Sequence, residues 1–323
     1  MMGNKKIEKF SDNINESLFR FAKYNESRAM KGGYSNYSYW SSTIKVFSQN
    51  KLALFLLFLI LVLISFTLIQ PYLPNQKSPT EISIYENTNV QYINHPPSKE
   101  FLFGTNSIGQ DLWARIWSGT RTSLFIGILV GIWEVIIGII VGAIWGYIGR
   151  LDRLITEIYN VINNIPTTIV LVLLTYILRP SIGTMIFAMC ITGWLGMARF
   201  VRNQIVIIRD REYNLASRSL GSPTRRIISR NLLPYLVSVI MLRLALAVPA
   251  AIGSEVFLTY IGLGLPFNIP SLGNLINEGR VVMMNPTLRY QLIFPTIILS
   301  TITISFYVIG NVFADAADPR NHV

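Results

Sequence analysis

The chain has 323 residues, of which 51% are hydrophobic and only 14% charged, and its formal net charge is +11. Soluble domains carry roughly 25% charged residues, and a mean hydropathy of +0.43 is far too high for general disorder. So apolar and so basic a chain argues against a water-soluble enzyme and against a nucleic-acid binder, which needs no long uncharged runs.

In chain order, residues 1–51 hold nine Lys/Arg against four Asp/Glu and read as a cytoplasmic tail. Phe19-Arg20-Phe21 and Tyr39-Trp40 suit an interfacial helix there, with a plain disordered tail as the alternative. About 20 apolar residues cross a bilayer as a helix. The uncharged run 52–69 is the first span, and it starts too deep for a cleaved signal peptide. Residues 70–121 form an exterior loop. Pro71, Pro74, Pro79, Pro96 and Pro97 mark 70–103 as a loop or small cap rather than a domain with its own core.

Five further spans lie within a core over residues 122–320: 122–147, 158–178, 181–198, 236–261 and 290–312. Residues 199–230 hold eight Arg against two acids, so the connecting segment 199–234 belongs in the cytoplasm. The fold class expected is an all-α polytopic membrane protein of six transmembrane helices, with both termini cytoplasmic.

Nothing points to catalysis. There is no phosphate-binding G-x-x-x-x-G-K-[ST], no H-E-x-x-H and no G-x-S-x-G. Cys190 is the only cysteine, and His95 and His322 are far apart, so neither a disulfide nor a metal site is expected. No Asp or His lies in any of the six apolar runs, which removes the usual acid–base groups. The chain is read as not an enzyme, with no cofactor of its own.

The most informative segment is Arg211–Pro234. Good helix formers run from Glu212 to Leu220, Gly221 suits the position just past a helix end, Ser222 suits an N-cap, and Pro223 suits the first residue of a second helix. The simpler reading is a long basic loop that merely obeys the positive-inside rule.

Ala216-Ser217, Gly221 and Leu233-Pro234 resemble the cytoplasmic E-A-A-x₃-G-x₉-I-x-L-P loop of ABC-importer permeases. Leu215 stands for the Glu, Ser217 for the second Ala and Asn231 for the Ile. Phe103-Gly104-Thr105-Asn106, Gly109-Gln110-Asp111 and Gly119–Leu124 are similar to the L-G-T-D-x-x-G-R-D…G-A-R-x-S-L run of peptide-importer permeases, with Asn106 and Gln110 as substitutions. Glu255–Gly264 with Pro270-Ser271-Leu272-Gly273, and the ending Ala314–Arg320, follow the same family. The resemblance covers Gly104 to Arg320 and is nearest to the C-type permease of oligopeptide (Opp/Ami/Dpp-type) importers, in the versions from Gram-positive bacteria.

That resemblance implies the type I ABC-importer permease fold in the plasma membrane and uptake of oligopeptides. It implies a B-type permease as heterodimer partner, two ABC ATPase subunits that bind ATP and Mg, and an extracellular peptide-binding lipoprotein. It also implies that the helix around Glu212, Leu215, Ala216, Ser217, Arg218, Gly221, Ser222, Pro223 and Arg225 couples to an ATPase, with Ala216, Ser217 and Gly221 as the docking surface. Importers of nickel, glutathione or other small solutes share these motifs, and a stand-alone secondary transporter is the rival from another class.

Three charges fall inside the spans, where they are costly and functional by default. Glu134 lies near the stripe Gly127, Gly131, Gly138, Gly142 and Gly146, a spacing that permits close helix packing. An ion pair between Glu134 and Arg243 is one expectation, and snorkelling of Arg243 to the inner interface is the other. Glu255 either lines the mouth of a pathway or caps a neighbouring helix. Pro166, Pro249 and Pro295 are expected to kink their spans.

Overall fold

The structure, a computed structural model, describes residues 39–85 and 90–318. The stretch Phe19-Arg20-Phe21 lies outside the described residues. The chain divides into two compact units, residues 1–42 and 43–323, and the helical architecture below is that of the second.

Helix α1 covers Tyr39–Gln49 and is separated by one residue from α2, Lys51–Ile69. That residue, Asn50, starts α2 by accepting the Ala53 amide hydrogen at 3.0 Å, an orphan donor that water cannot serve in an apolar setting. After a connecting segment come α3 (Leu112–Tyr147), α4 (Gly149–Asn163), α5 (Thr167–Leu178) and α6 (Ile182–Ile208). The short helix α7 (Glu212–Ser219) and a single turn α8 (Thr224–Ile227) follow. A π-turn over Ile228–Leu232 and a 3₁₀ turn over Leu233–Leu236 lead into α9, Val237–Tyr260. Helix α10 (Leu272–Val282) and α11 (Tyr290–Ala317) complete the described chain.

Among the described residues five helical stretches are long and apolar enough to cross a bilayer, and α4 with α5 makes a sixth if the bent pair is one span. The pair meets at 70°. Pro166 has no amide hydrogen to continue the ladder and disfavours a helical Ile165, so the predicted span over 158–178 is broken rather than merely kinked. Helices α9 and α11 run on through Pro249 and Pro295.

Three elements outrun their predicted spans, α3 at its start, α6 at its end and, by a shorter stretch, α11 at its end. Helix α3 has 36 residues, about 54 Å at 1.5 Å per residue against a hydrocarbon core of about 30 Å. It starts at Leu112 because the Asp111 carboxylate accepts the amides of Trp113 and Ala114. Helix α6 continues to Ile208, so residues 199–208 are helix and not loop. The charged turns are satisfied in place. Arg202 makes two hydrogen bonds to Asp152, at 2.9 and 2.8 Å, and the Arg199 guanidinium sits over the Tyr159 ring.

Helix α3 is the hub, packing most extensively on α6 and next on α9. Between apolar helices in lipid, small residues that let backbones approach drive association. The glycine stripe divides between two partners. A Cβ on Gly127 or Gly131 would meet Val248 and Ile252 or Ala247 of α9. A Cβ on Gly138, Gly142 or Gly146 would meet Met197, Ala198, Val201, Arg202 or Ile205 of α6.

The segment between α2 and α3 carries, among its described residues, a 3₁₀ turn at Gln70–Tyr72 and isolated antiparallel bridges, Ile82 with Gln110, Ile84 with Gln91 and Thr105 with Asp111. It nevertheless has a small packed centre. Phe101 is buried, with Tyr92 and His95 against it and the Lys77 ammonium 3.3 Å from its ring centroid. Phe103 stacks on Phe294 of α11 at 4.2 Å, which fastens the cap to the bundle. Of the two expected readings, a loop or a small cap, these aromatics match the small cap, because they supply large contact areas without regular strands.

Gly142→Val is expected to destabilise the protein by about 3 kcal/mol or more, because its side chain would lie where the α6 backbone passes. Gly253→Ala, which faces open space, is expected to be neutral within about 0.5 kcal/mol. Thermal unfolding in detergent, followed by circular dichroism, compares them.

Candidate functional site

One end of the bundle gathers the termini of α3 and α6 with the arginine-rich segment. Arg209 donates to the Gly146 carbonyl at 2.8 Å, satisfying an acceptor in the last turn of α3. Asn214, fully buried, donates from Nδ2 to the Ile208 carbonyl at 2.8 Å and does the same for α6. Helix α7 is therefore bound at once to the helix that precedes it.

The C-terminus of α7 is a Schellman turn. Ser222 donates to the Ser217 carbonyl at 3.1 Å and Gly221 to the Arg218 carbonyl at 3.0 Å. Gly221 has φ +77°, which glycine adopts without strain. The second helix starts differently from its sequence reading. Pro223, at φ −67° and ψ 148°, is the extended cap residue and Thr224 the first helical one, so Ser222 neither caps nor bonds the turn that follows.

The outward face of this element carries Glu212, Tyr213, Leu215, Ala216, Leu220, Gly221, Pro223 and Arg225, all exposed. Leu220 is 86% exposed, and with the exposed Tyr213 and Leu215 it makes the outer side of α7 apolar. Arg218 packs over the Tyr147 ring of α3 at 5.4 Å and comes within 4.0 Å of Asp210.

Ser217 departs from the expected docking surface. Its hydroxyl donates to the Tyr213 carbonyl at 2.9 Å and accepts from Asn231 Nδ2 at 3.3 Å, so it turns inward. Asn231 Nδ2 also donates to Asn214 Oδ1 at 3.1 Å. Tyr213, Asn214, Leu220 and Asn231 were not singled out as site residues from sequence. Asn214 and Ser217 are three apart on one helix face, a spacing that places them together but says nothing of the loop that returns to meet them.

The three charges inside the spans go separate ways. Glu134 and Arg243 do not form the expected ion pair. They line one cavity of about 210 Å³ with Gly193, Gly196 and Ala247. Glu134 lies against Gly193 of α6, where an added Cβ would collide with its carboxylate. The Arg243 guanidinium is drawn instead over the Phe200 ring, 4.5 Å from its centroid.

Glu255 is fully buried and caps a neighbouring helix rather than facing an open mouth. It accepts from Ser271 at 2.7 Å, from Ser123 at 3.0 Å and from Thr259 at 3.3 Å. Ser271 is the N-cap of α10, and Ser123 accepts the Leu272 amide at 3.0 Å. A negative charge at a helix N-terminus is favourable, and here one carboxylate joins α3, α9 and α10.

At the opposite end, sequence reasoning missed a buried ion pair. Arg115, fully buried, donates to Glu278 of α10 and to Gln110, each at 2.5 Å. Asn106 donates to Glu278 at 3.2 Å and to Gln110 at 3.0 Å. Asn106 and Gln110, two of the residues at which this chain departs from the permease motifs, are thus hydrogen-bonded partners. Burial pushes the Glu278 carboxyl above its ordinary range, and Arg115 and Asn106 offset only part of that cost.

Residues 134–323 match the family described as "Binding-protein-dependent transport system inner membrane component", and residues 38–97 match "N-terminal TM domain of oligopeptide transport permease C". The chain is 37% identical over 310 residues to the "Oligopeptide transport system permease protein AmiD" of Streptococcus pneumoniae, covering 96% of this chain and 99% of that one. It is 34% identical to the "Oligopeptide transport system permease protein OppC" of Bacillus subtilis, covering 95% and 98%. The "Dipeptide transport system permease protein DppC" of Bacillus subtilis is 37% identical, covering 88% and 86%. Among solved structures, a chain of the inward-facing MetNI methionine ABC transporter superposes with a TM-score of 0.51 at 20% identity, covering 62% of this chain and 97% of that one, which is a likeness of fold.

Glu255→Ala strands three hydroxyl donors and is expected to lower stability by about 2–4 kcal/mol in a detergent unfolding assay. Glu278→Gln tests the sign of the Glu278 shift. With a raised value in the folded state, the protonated carboxyl binds its proton more tightly there. Its stabilisation is full below the ordinary value of 4.5 and is lost as pH rises through the raised one. Melting temperatures from pH 4 to about 8 should therefore show wild type losing stability relative to the variant as pH rises.

Proposed function

This chain belongs to the family of binding-protein-dependent transport system inner membrane components, and from that membership we propose that it forms half of the translocation pathway of an ATP-driven oligopeptide importer in the plasma membrane. The arginine-rich end of the bundle faces the cytoplasm, and the aromatic-centred cap of residues 70–111 faces out, as the positive-inside rule requires.

The observation that carries this reading is α7. It is a two-turn helix braced on α3 and α6, closed by a Schellman turn, with its apolar outer side uncovered. An exposed apolar patch rimmed by charge marks a protein interaction site. Leu215, Ala216, Leu220 and Gly221 fit a shallow cleft on an ATPase subunit, and Arg218 and Arg225 supply charge-assisted hydrogen bonds at its rim. Two such ATPases bind ATP and Mg, and this chain supplies no hydrolytic group. A homologous second permease completes the pathway, and an extracellular binding protein delivers the peptide.

Purification of the tagged chain from its native membrane in mild detergent tests the assembly. A second permease and two ATPases are expected to co-purify, and a lone monomer would sink the proposal. Gly221→Val, which forces a β-branched residue into a positive φ, is expected to cut peptide uptake about tenfold or more while leaving the amount of chain in the membrane unchanged. Uptake at the wild-type rate would remove α7 from the coupling role.

A further inference from the structure

Two features coincide where the arginine-rich segment joins α9. The first is a break in helical register. Residues 224–260 form one continuous rod, but its start passes from an α-turn (Thr224–Ile227) to a π-turn (Ile228–Leu232) and a 3₁₀ turn (Leu233–Leu236) before α9 begins. Such irregular stretches within helices collect at functional hinges. The second is a polar cluster formed across that break. Asn231, inside the π-turn, donates through Nδ2 to Asn214 Oδ1 and to Ser217 Oγ, both on α7. Asn214 passes the chain of bonds to the Ile208 carbonyl at the end of α6.

The residues concerned add a third point. Ser217 and Asn231 are two of the three positions at which this loop departs from the permease motif, where alanine and isoleucine stand. Both departures are polar, and they are bonded to each other. Two positions that the motif fills with apolar residues are polar here, and the bond between them is directional. A dispersion contact tolerates sliding and rotation, whereas a hydrogen bond weakens steeply as its angle opens.

We infer that Asn231, acting through Asn214 and Ser217, is a positioning residue that clasps α7 to the π-turn, so that a displacement of α7 passes into α9 as movement of one body. This rests on the proposed coupling role of α7 and goes beyond it, because it names the joint through which motion leaves that helix. Among the hydrogen bonds of the described residues, these are the side-chain bonds that join α7 to the π-turn. Without them α7 is still held to α6 by Asn214, so it keeps its place but not its grip on α9.

The test uses the whole importer, purified and reconstituted in proteoliposomes, with Asn231→Leu as the main variant. Loss of the clasp shifts a docked–undocked equilibrium by about tenfold for one net hydrogen bond. Uptake of peptide per ATP hydrolysed is therefore expected to fall about tenfold, with ATPase co-purification and ATP hydrolysis within about twofold of wild type. The double variant Ser217→Ala with Asn231→Ile restores the apolar pair of the motif and is expected to recover at least about half of the lost coupling, a non-additive result. If Asn231 merely stabilises the fold, uptake, hydrolysis and assembly fall together in the single variant and the double variant is worse. That outcome, or normal coupling in Asn231→Leu, overturns the clasp.

A second measurement keeps the clasp separate from the importer reading. Amide hydrogen exchange of residues 212–220 in the detergent-purified chain is expected to accelerate about tenfold in Asn231→Leu, with α3 and α6 unchanged. Unchanged exchange overturns the clasp whatever the ATPases do. Failure of ATPases to bind the wild-type chain, with accelerated exchange in the variant, instead overturns the coupling role and leaves the joint itself standing.

Discussion

The close approach of α3 to its neighbours is the constraint on which the rest of the structure depends. In a bilayer, apolar side chains gain nothing by leaving lipid for protein, so helices must be held by dense contact and by polar groups that lipid cannot satisfy. Glycines on two stretches of α3 admit α9 at one level and α6 at another. Because a single 36-residue helix carries both stretches, α6 and α9 are placed relative to one another through it. The cavity lined by Glu134 and Arg243 is a consequence, since it lies where α3, α6 and α9 meet but do not close.

Polar joints then fix the ends. Glu255 fastens the start of α10 to α3 and α9, the Arg115–Glu278 pair fastens the middle of α10 to the start of α3 with Asn106 of the cap bonded alongside, and Asp152 with Arg202 fastens α4 to α6. Each joint is buried or half-buried, and each satisfies groups that a helix end or a charged turn leaves open. The two ends differ in what they leave uncovered. At the end with the cap, the groups of these joints are turned inward. At the arginine-rich end, α7 shows an apolar outer side and keeps its polar groups for α6 and the π-turn. That element is rigid where α6 and the π-turn hold it and open on its outer side.

Much of this was legible in the sequence, and the reasons are specific. Uncharged runs of about 20 residues announce spans whatever their partners. Gly221 announced a helix end, because few other residues accept a φ of +77°. The motif residues from Gly104 to Arg320 identified the family, and the family match over 134–323 agrees. Where the reading went astray, the missing information was spatial. The span over 158–178 became two helices at 70°, because Pro166 acts on a turn whose neighbours decide how far it opens. Arg199 and Arg202 looked like the start of a loop, but Tyr159 and Asp152 receive them and the helix runs on.

By itself the sequence determined the class of protein, the number and approximate position of its apolar segments, the face of α3 that others approach, and the turn after α7. These depend on composition, on local backbone freedom and on helical spacing, all of which are properties of short stretches. The tertiary structure alone decided who meets whom. It sent Arg243 to Phe200 and not to Glu134, gave Glu255 to the cap of α10, joined Arg115 to Glu278 across 163 positions of chain, and turned Ser217 toward Asn231. A charged or polar side chain has several partners within its chemical reach. The choice among them follows from which backbones pass close enough, and that distance is set by the packing of whole helices.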